Sequence, residues 1–136
     1  MRLSLLLAAL LDFKLEANNY ADTFIHLERY KEAKALMRKT VPVARRVLGE
    51  SNGLTLTMRS NYARALYRDD DATLDETREA VTTLEETERT ARRVLGCAHP
   101  HTSAIERALR SARAALRARE TQPCTCVPVP PPSGRT

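Results

Sequence analysis

Aromatic residues are few in this sequence and glycine is scarce, at four in the chain. No stretch alternates apolar and polar residues as a half-buried strand would, so a sheet is excluded as the main scaffold. The three cysteines, Cys97, Cys124 and Cys126, are an odd number and two of them sit in a proline-rich end. No disulfide framework follows, and a reducing, cytoplasmic setting is the expectation. No nucleophile elbow, glycine-rich phosphate loop or HExxH pattern occurs, so nothing in the sequence supports an enzyme, and no cofactor is implied. The apolar opening, with Leu3, Leu5, Leu6, Leu7, Leu10 and Leu11, is too short to span a bilayer. Arg2 before that run gives it some likeness to a signal peptide. Asp12, Lys14 and Glu16 interrupt it before a cleavage site. Residues 1–16 are read instead as a buried apolar helix segment.

Alanine, leucine, arginine and glutamate dominate what is present, a composition that favours helix. The net charge of +5 is concentrated late in the chain. From Thr87 to Glu120, Arg89, Arg92, Arg93, Arg107, Arg110, Arg113, Arg117 and Arg119 face only Glu88, Glu106 and Glu120. Such a basic end draws acidic peptides, nucleic acid or anionic lipid, and composition does not choose among them.

The segment ARRVLG occurs twice, at Ala44–Gly49 and Ala91–Gly96. The same 47-residue offset superposes Glu32 on Glu79, Ala33 on Ala80, Met37 on Leu84, Thr40 on Thr87, Thr55 on Thr102 and Met58 on Ile105. An offset of 42 superposes Asn19, Tyr20 and Ala21 on Asn61, Tyr62 and Ala63, with Phe24 on Leu66. The chain is therefore built from a repeated unit of about 42 residues, lengthened once. RDDDAT at Arg68–Thr73 is where the extra residues fit.

Each unit accommodates two helices. The first is expected over EANNYADTFIHL and again over LTLTMRSNYARALYR; the second over Arg29–Leu48 and Leu74–Leu95. Ala33, Met37, Val41, Ala44 and Leu48 form one apolar face. Thr73 and Glu76 match a capping box, and the paired arginines before Gly49 and Gly96 suit a helix ending with a left-handed glycine cap. Pro42 is expected to bend its helix near Arg38 without ending it. A third unit opens at Pro100, with Ile105, Ala108, Leu109, Ala112 and Leu116 as its apolar stripe. Tyr20, Phe24, Tyr30, Met37, Leu66 and Leu84 are expected in the core. Residues 121–136 cannot pack and form a tail of extended or disordered character.

The asparagine-aromatic-alanine signature of the first helix, RYKEA opening the second, ARRVLG closing it and HPHT opening the next unit together resemble tetratricopeptide repeats of the kinesin light chain type. The resemblance spans roughly residues 17–115. It implies an all-α, short right-handed solenoid of about two and a half helix pairs over residues 17–120. In such a solenoid the first helices line a concave groove that binds a peptide or helix of a partner protein. Asparagines there hydrogen-bond the backbone of an extended ligand; the matching positions are Asn18, Asn19 and Asp22, then Ser60, Asn61 and Arg64. In the third unit Ala108 takes the asparagine position, and no heptad-rich segment for a motor heavy chain is present.

An Asn amide offers both a donor and an acceptor to a peptide bond, which suits a sequence-independent clamp. The same residues also suit a solvated helix face. Arg59, Arg64 and Arg68 would add positive charge to the groove wall and favour acidic ligands. The arginine row from Arg107 to Arg117 lacks an aromatic platform for bases, so a solubilising outer face on the last helix is preferred to nucleic-acid binding. Cys97, His99 and His101 do not match a zinc-finger spacing, and Asp69–Asp71 with Asp75 lack the glycine and ligand pattern of a calcium loop. An alternative to a peptide-binding module is an assembly subunit that stacks on other repeat chains through apolar ends.

Overall fold

The computed structural model describes residues 16–121, all of whose regular structure is helical. The expectations for the apolar opening and for the proline-rich tail, including Cys124 and Cys126, lie outside the described residues. Helix α1 is described over residues 16–26, followed by α2 (Tyr30–Leu48), α3 (Gly53–Arg68), α4 (Leu74–Val94) and α5 (Pro100–Thr121).

Repetition in sequence becomes repetition in backbone geometry. Gly49 and Gly96 both have φ of 90°, a conformation that only glycine adopts without strain. ψ at Gly49 is 160°, so its cap is extended with positive φ and not the left-handed helical cap expected from sequence. Three residues later the turn recurs. Asn52 N–H donates to the Gly49 carbonyl, and His99 N–H to the Gly96 carbonyl, each at 3.4 Å. The Asn52 side chain then accepts from Leu54 N–H at 2.9 Å, and His99 Nδ1 from His101 N–H at 3.1 Å. HPHT is thus a helix opening whose first imidazole satisfies an otherwise unpaired amide.

The 47-residue offset places Thr77 where Tyr30 stands, yet α4 starts at Leu74. The extra residues therefore lengthen the first turn of α4 as well as the connection before it. That turn holds the capping box. Thr73 Oγ1 accepts from Glu76 N–H, and Glu76 Oε2 from Thr73 N–H, both at 3.1 Å. Helix α2 runs through Pro42 without stopping. The α1–α2 turn is closed instead by Glu28 at φ 60°, with Arg29 N–H donating to the Phe24 carbonyl.

Small residues at matching positions let the helices approach. Ala17, Ala21, Met37, Val41, Ala44 and Met58 pack α1, α2 and α3 together. Leu56, Leu66, Leu84, Ile105 and Leu109 continue the core through α3, α4 and α5. Each large apolar side chain buried here contributes roughly 1.5–3 kcal/mol. Met37, Leu66 and Leu84 are fully buried as expected, and Phe24 and Tyr30 partly so. Tyr20 is 61% exposed and not a core residue. The 42-residue offset matches it to Tyr62, but Tyr62 is flanked by helices on both sides and bonds Arg38 and Glu79.

Helix α2 packs on α3, α3 on α4 and α4 on α5, the order of a solenoid. The Cα atoms of α3 and α5 also come within 8 Å of each other, whereas the described residues of α2 and α4 make no such approach. The stack is tighter on the side of the first helices. It therefore curves with α3 and α5 on its inner wall.

Candidate functional site

On α3 the residues facing that inner wall fall four apart: Ser60, Arg64 and Arg68, one per helical turn. Arg107 and Ser111 repeat the spacing on α5, with Ala104 and Ala108 between the two rows. Together with Tyr67 these residues line a recess of about 370 Å³, near the lower end of the roughly 300–1,000 Å³ typical of ligand sites. The alanines leave the space; the arginines fill it with positive charge. No carboxylate lines it.

The contrast with other hollows decides its importance. Between α2, α3 and α4 a recess of about 240 Å³ holds Arg38, Arg45 and Arg59, but Glu79 and Glu86 share its walls. Further hollows likewise mix arginines with glutamates or aspartates. Carboxylates in their walls compensate their charge at least in part.

Behind the inner recess runs a chain of polar contacts linking α1 to α3. Asn61 Nδ2 donates to Asn18 Oδ1 at 2.8 Å, Arg64 Nη1 donates to Asn61 Oδ1 at 3.1 Å, and Arg64 lies 3.5 Å from Asp22 Oδ1. His26 Nε2 is 3.3 Å from the other oxygen of Asp22. Asn18 and Asn61 are buried, at 9% and 4% exposure. Asn19, the residue that matches Asn61 by sequence, is exposed. Of the residues singled out from sequence, Ser60, Arg64 and Arg68 line the recess and Asn18, Asn61 and Asp22 support Arg64 from behind. Asn19 joins neither group.

Two arginines stand elsewhere than the sequence suggested. Arg59 is 5% exposed and bonds Glu86 at 2.9 Å on the α4 side of α3, away from the inner wall. Its neighbours in sequence concealed this, because adjacent helix positions point about 100° apart, so Arg59 and Ser60 take different faces. Arg107, read as part of a solubilising outer face, lines the recess opposite Arg64 and Arg68. The 47-residue offset superposes it on Ser60, and that register was the signal available. The arginine row of α5 divides accordingly: Arg113 turns to α4 and bonds Glu85 at 3.1 Å. Arg119 reaches back to the end of α3, donating to the Asp69 carbonyl at 2.9 Å and to Thr77 Oγ1.

With this geometry in view, the match of residues 14–73 to the tetratricopeptide repeat family model accounts for α1 through the connection after α3. Over that stretch, somewhat less than half of the chain, the sequence is similar to the tetratricopeptide repeat. The same repeat pattern continues through α4 and α5 by the 47-residue offset. Tetratricopeptide repeats are generally non-enzymatic protein–protein interaction modules. No curated protein and no solved structure matches the chain significantly. Among the described residues, no helix is long and apolar enough to cross a membrane, and no group of three His, Cys, Asp or Glu side chains is placed to hold a metal ion.

Proposed function

We propose that the chain is a non-catalytic interaction module that holds a segment of a partner protein along the inner wall of α3 and α5, with a preference for acidic segments. The observation that carries this reading is the convergence of Arg64, Arg68 and Arg107 on one recess with no carboxylate in its lining. A partner's acidic side chain would supply the missing charge through charge-assisted, bidentate hydrogen bonds. Asn19, exposed on α1 although outside the recess lining, has an amide free to add a backbone contact to a ligand that extends beyond the recess. The likeness to kinesin light chain repeats agrees with an adaptor role in the cytoplasm.

A photo-crosslinking side chain at Ser111, in the recess, and another at Thr82, on an exposed position of α4, provide the test. A labelled pool of glutamate-rich peptides should be captured from Ser111 and not from Thr82. Equal capture from both positions would reject the groove.

A second reading, stacking on other repeat chains, draws support from Tyr20 and Leu27, both large, apolar and exposed at the α1 end. Light scattering that shows mass rising with concentration, and falling back in a Tyr20→Ser, Leu27→Ser variant, would favour it.

A further inference from the structure

The charge in the recess exceeds what one carboxylate needs. Arg64 is partly compensated by Asp22 at 3.5 Å. Arg68 and Arg107 form no ion pair among the described residues, unlike Arg59, Arg92 and Arg113 nearby, each of which meets a glutamate. Two arginines without a carboxylate partner among the described residues, Arg68 from α3 and Arg107 from α5, therefore line one recess together with Arg64. The hydroxyl-bearing Ser60 and Ser111 line the same space.

We infer that this recess receives a phosphorylated serine or threonine of the partner segment. The inference rests on the groove reading above and specifies its ligand. A phosphate monoester carries about −1.5 to −2 charge at neutral pH and three acceptor oxygens, against one charge and two oxygens on a carboxylate. Only the dianion matches both the two uncompensated arginines and the additional hydroxyl donors. A single compact recess also fits one phosphate better than a run of them. Nucleic acid would need a continuous phosphate track and a stacking surface. Arg113 is turned to Glu85, and Tyr67 is buried.

Fluorescence anisotropy with three labelled peptide pools tests the inference. One pool is randomised around a fixed phosphoserine or phosphothreonine, one carries the unmodified residue, and one carries glutamate in its place. The phosphorylated pool should bind about tenfold more tightly than the glutamate pool, given roughly doubled charge and the extra acceptor. An Arg68→Gln, Arg107→Gln variant should lose that tenfold preference. Both residues are exposed, so the fold should survive, as circular dichroism would verify. An Arg110→Gln, Arg117→Gln variant, which removes the same charge outside the recess, should keep it.

Equal binding of the glutamate and phosphorylated pools would overturn the phosphate assignment while leaving the acidic groove intact. Failure of all three pools to bind would overturn both. Displacement of the phosphorylated pool by oligouridylate, with the same dependence on Arg68 and Arg107, would overturn the assignment in favour of nucleic acid.

Discussion

Asn61 donates its side-chain N–H to the side-chain oxygen Oδ1 of Asn18 across 2.8 Å, joining α1 to α3 at a point where both side chains are buried. The Asn61 oxygen also accepts from Arg64. One amide thus ties two repeats and orients a groove arginine. Replacing Asn61 with alanine leaves the Asn18 oxygen buried without its partner, which costs about 1–3 kcal/mol. Thermal unfolding followed by circular dichroism should show this loss for Asn61→Ala and little change for Asn19→Ala, whose side chain is exposed. Equal effects would mean that the buried pair does not hold the repeats together.

Arg59 and Arg68 separate stability from binding. Arg59→Gln breaks the contact with Glu86 and should lower stability by about 0.5–1.5 kcal/mol, with no change in the affinity for an acidic peptide pool. Arg68→Gln should do the reverse. Calorimetric unfolding and anisotropy on the two variants check both halves; reduced affinity in Arg59→Gln would contradict the assignment of faces.

How much of this was legible from sequence depends on which contacts are local. Helix boundaries, the Thr73–Glu76 capping box and the two glycine endings are set within a few residues, and the pattern exposed them. The choice between Asn18 and Asn19 is not local. Adjacent helix positions point about 100° apart, so a one-residue difference decides whether an amide meets Asn61 or solvent. Register matching aligned Asn19 with Asn61, but equivalent positions in successive repeats need not touch; here the contact is between Asn18 and Asn61. Arg107 was concealed for a related reason. Away from the apolar stripe, a residue on the last helix faces either solvent or the groove; composition does not tell the two apart, and the register of Arg107 on Ser60 was the one sequence signal for the groove.

Glu76 links stability to pH. Its Oε1 lies 2.7 Å from Lys34 Nζ on α2 while Oε2 completes the cap of α4. The hydrogen bond from Lys34 is the main cause that holds its pKa below the ordinary value of 4.5, against the opposing effect of burial. A carboxyl with a depressed folded-state pKa adds stability that is fully present above its unfolded value. That stability is lost as pH falls through the folded one. Glu76→Gln should therefore cost about 1 kcal/mol at neutral pH and nothing once the wild-type carboxyl is protonated. Urea unfolding at neutral pH and at successively more acidic pH, through and below the ordinary carboxylate range, should give curves for the two proteins that converge on acidification. A constant difference would remove Glu76 from the account.

Thr102 offers a stabilising substitution. Its hydroxyl is fully buried without a hydrogen-bond partner, whereas its repeat equivalent Thr55 lies 3.5 Å from the Ala44 carbonyl. Removing an unsatisfied buried hydroxyl while keeping the branched shape should raise stability by about 1 kcal/mol. Thr102→Val should unfold at higher temperature than the wild type. A lower unfolding temperature would indicate that the hydroxyl is bonded in solution.

The inner wall of α3 and α5 as the binding surface is tested most directly by mapping amide chemical shifts while a glutamate-rich peptide pool is titrated in. The account predicts that the largest changes fall on Ser60, Arg64, Arg68, Ala104, Arg107 and Ser111. Changes centred on Arg38, Tyr62, Glu79 and Glu86, on the opposite side of α3, would contradict it.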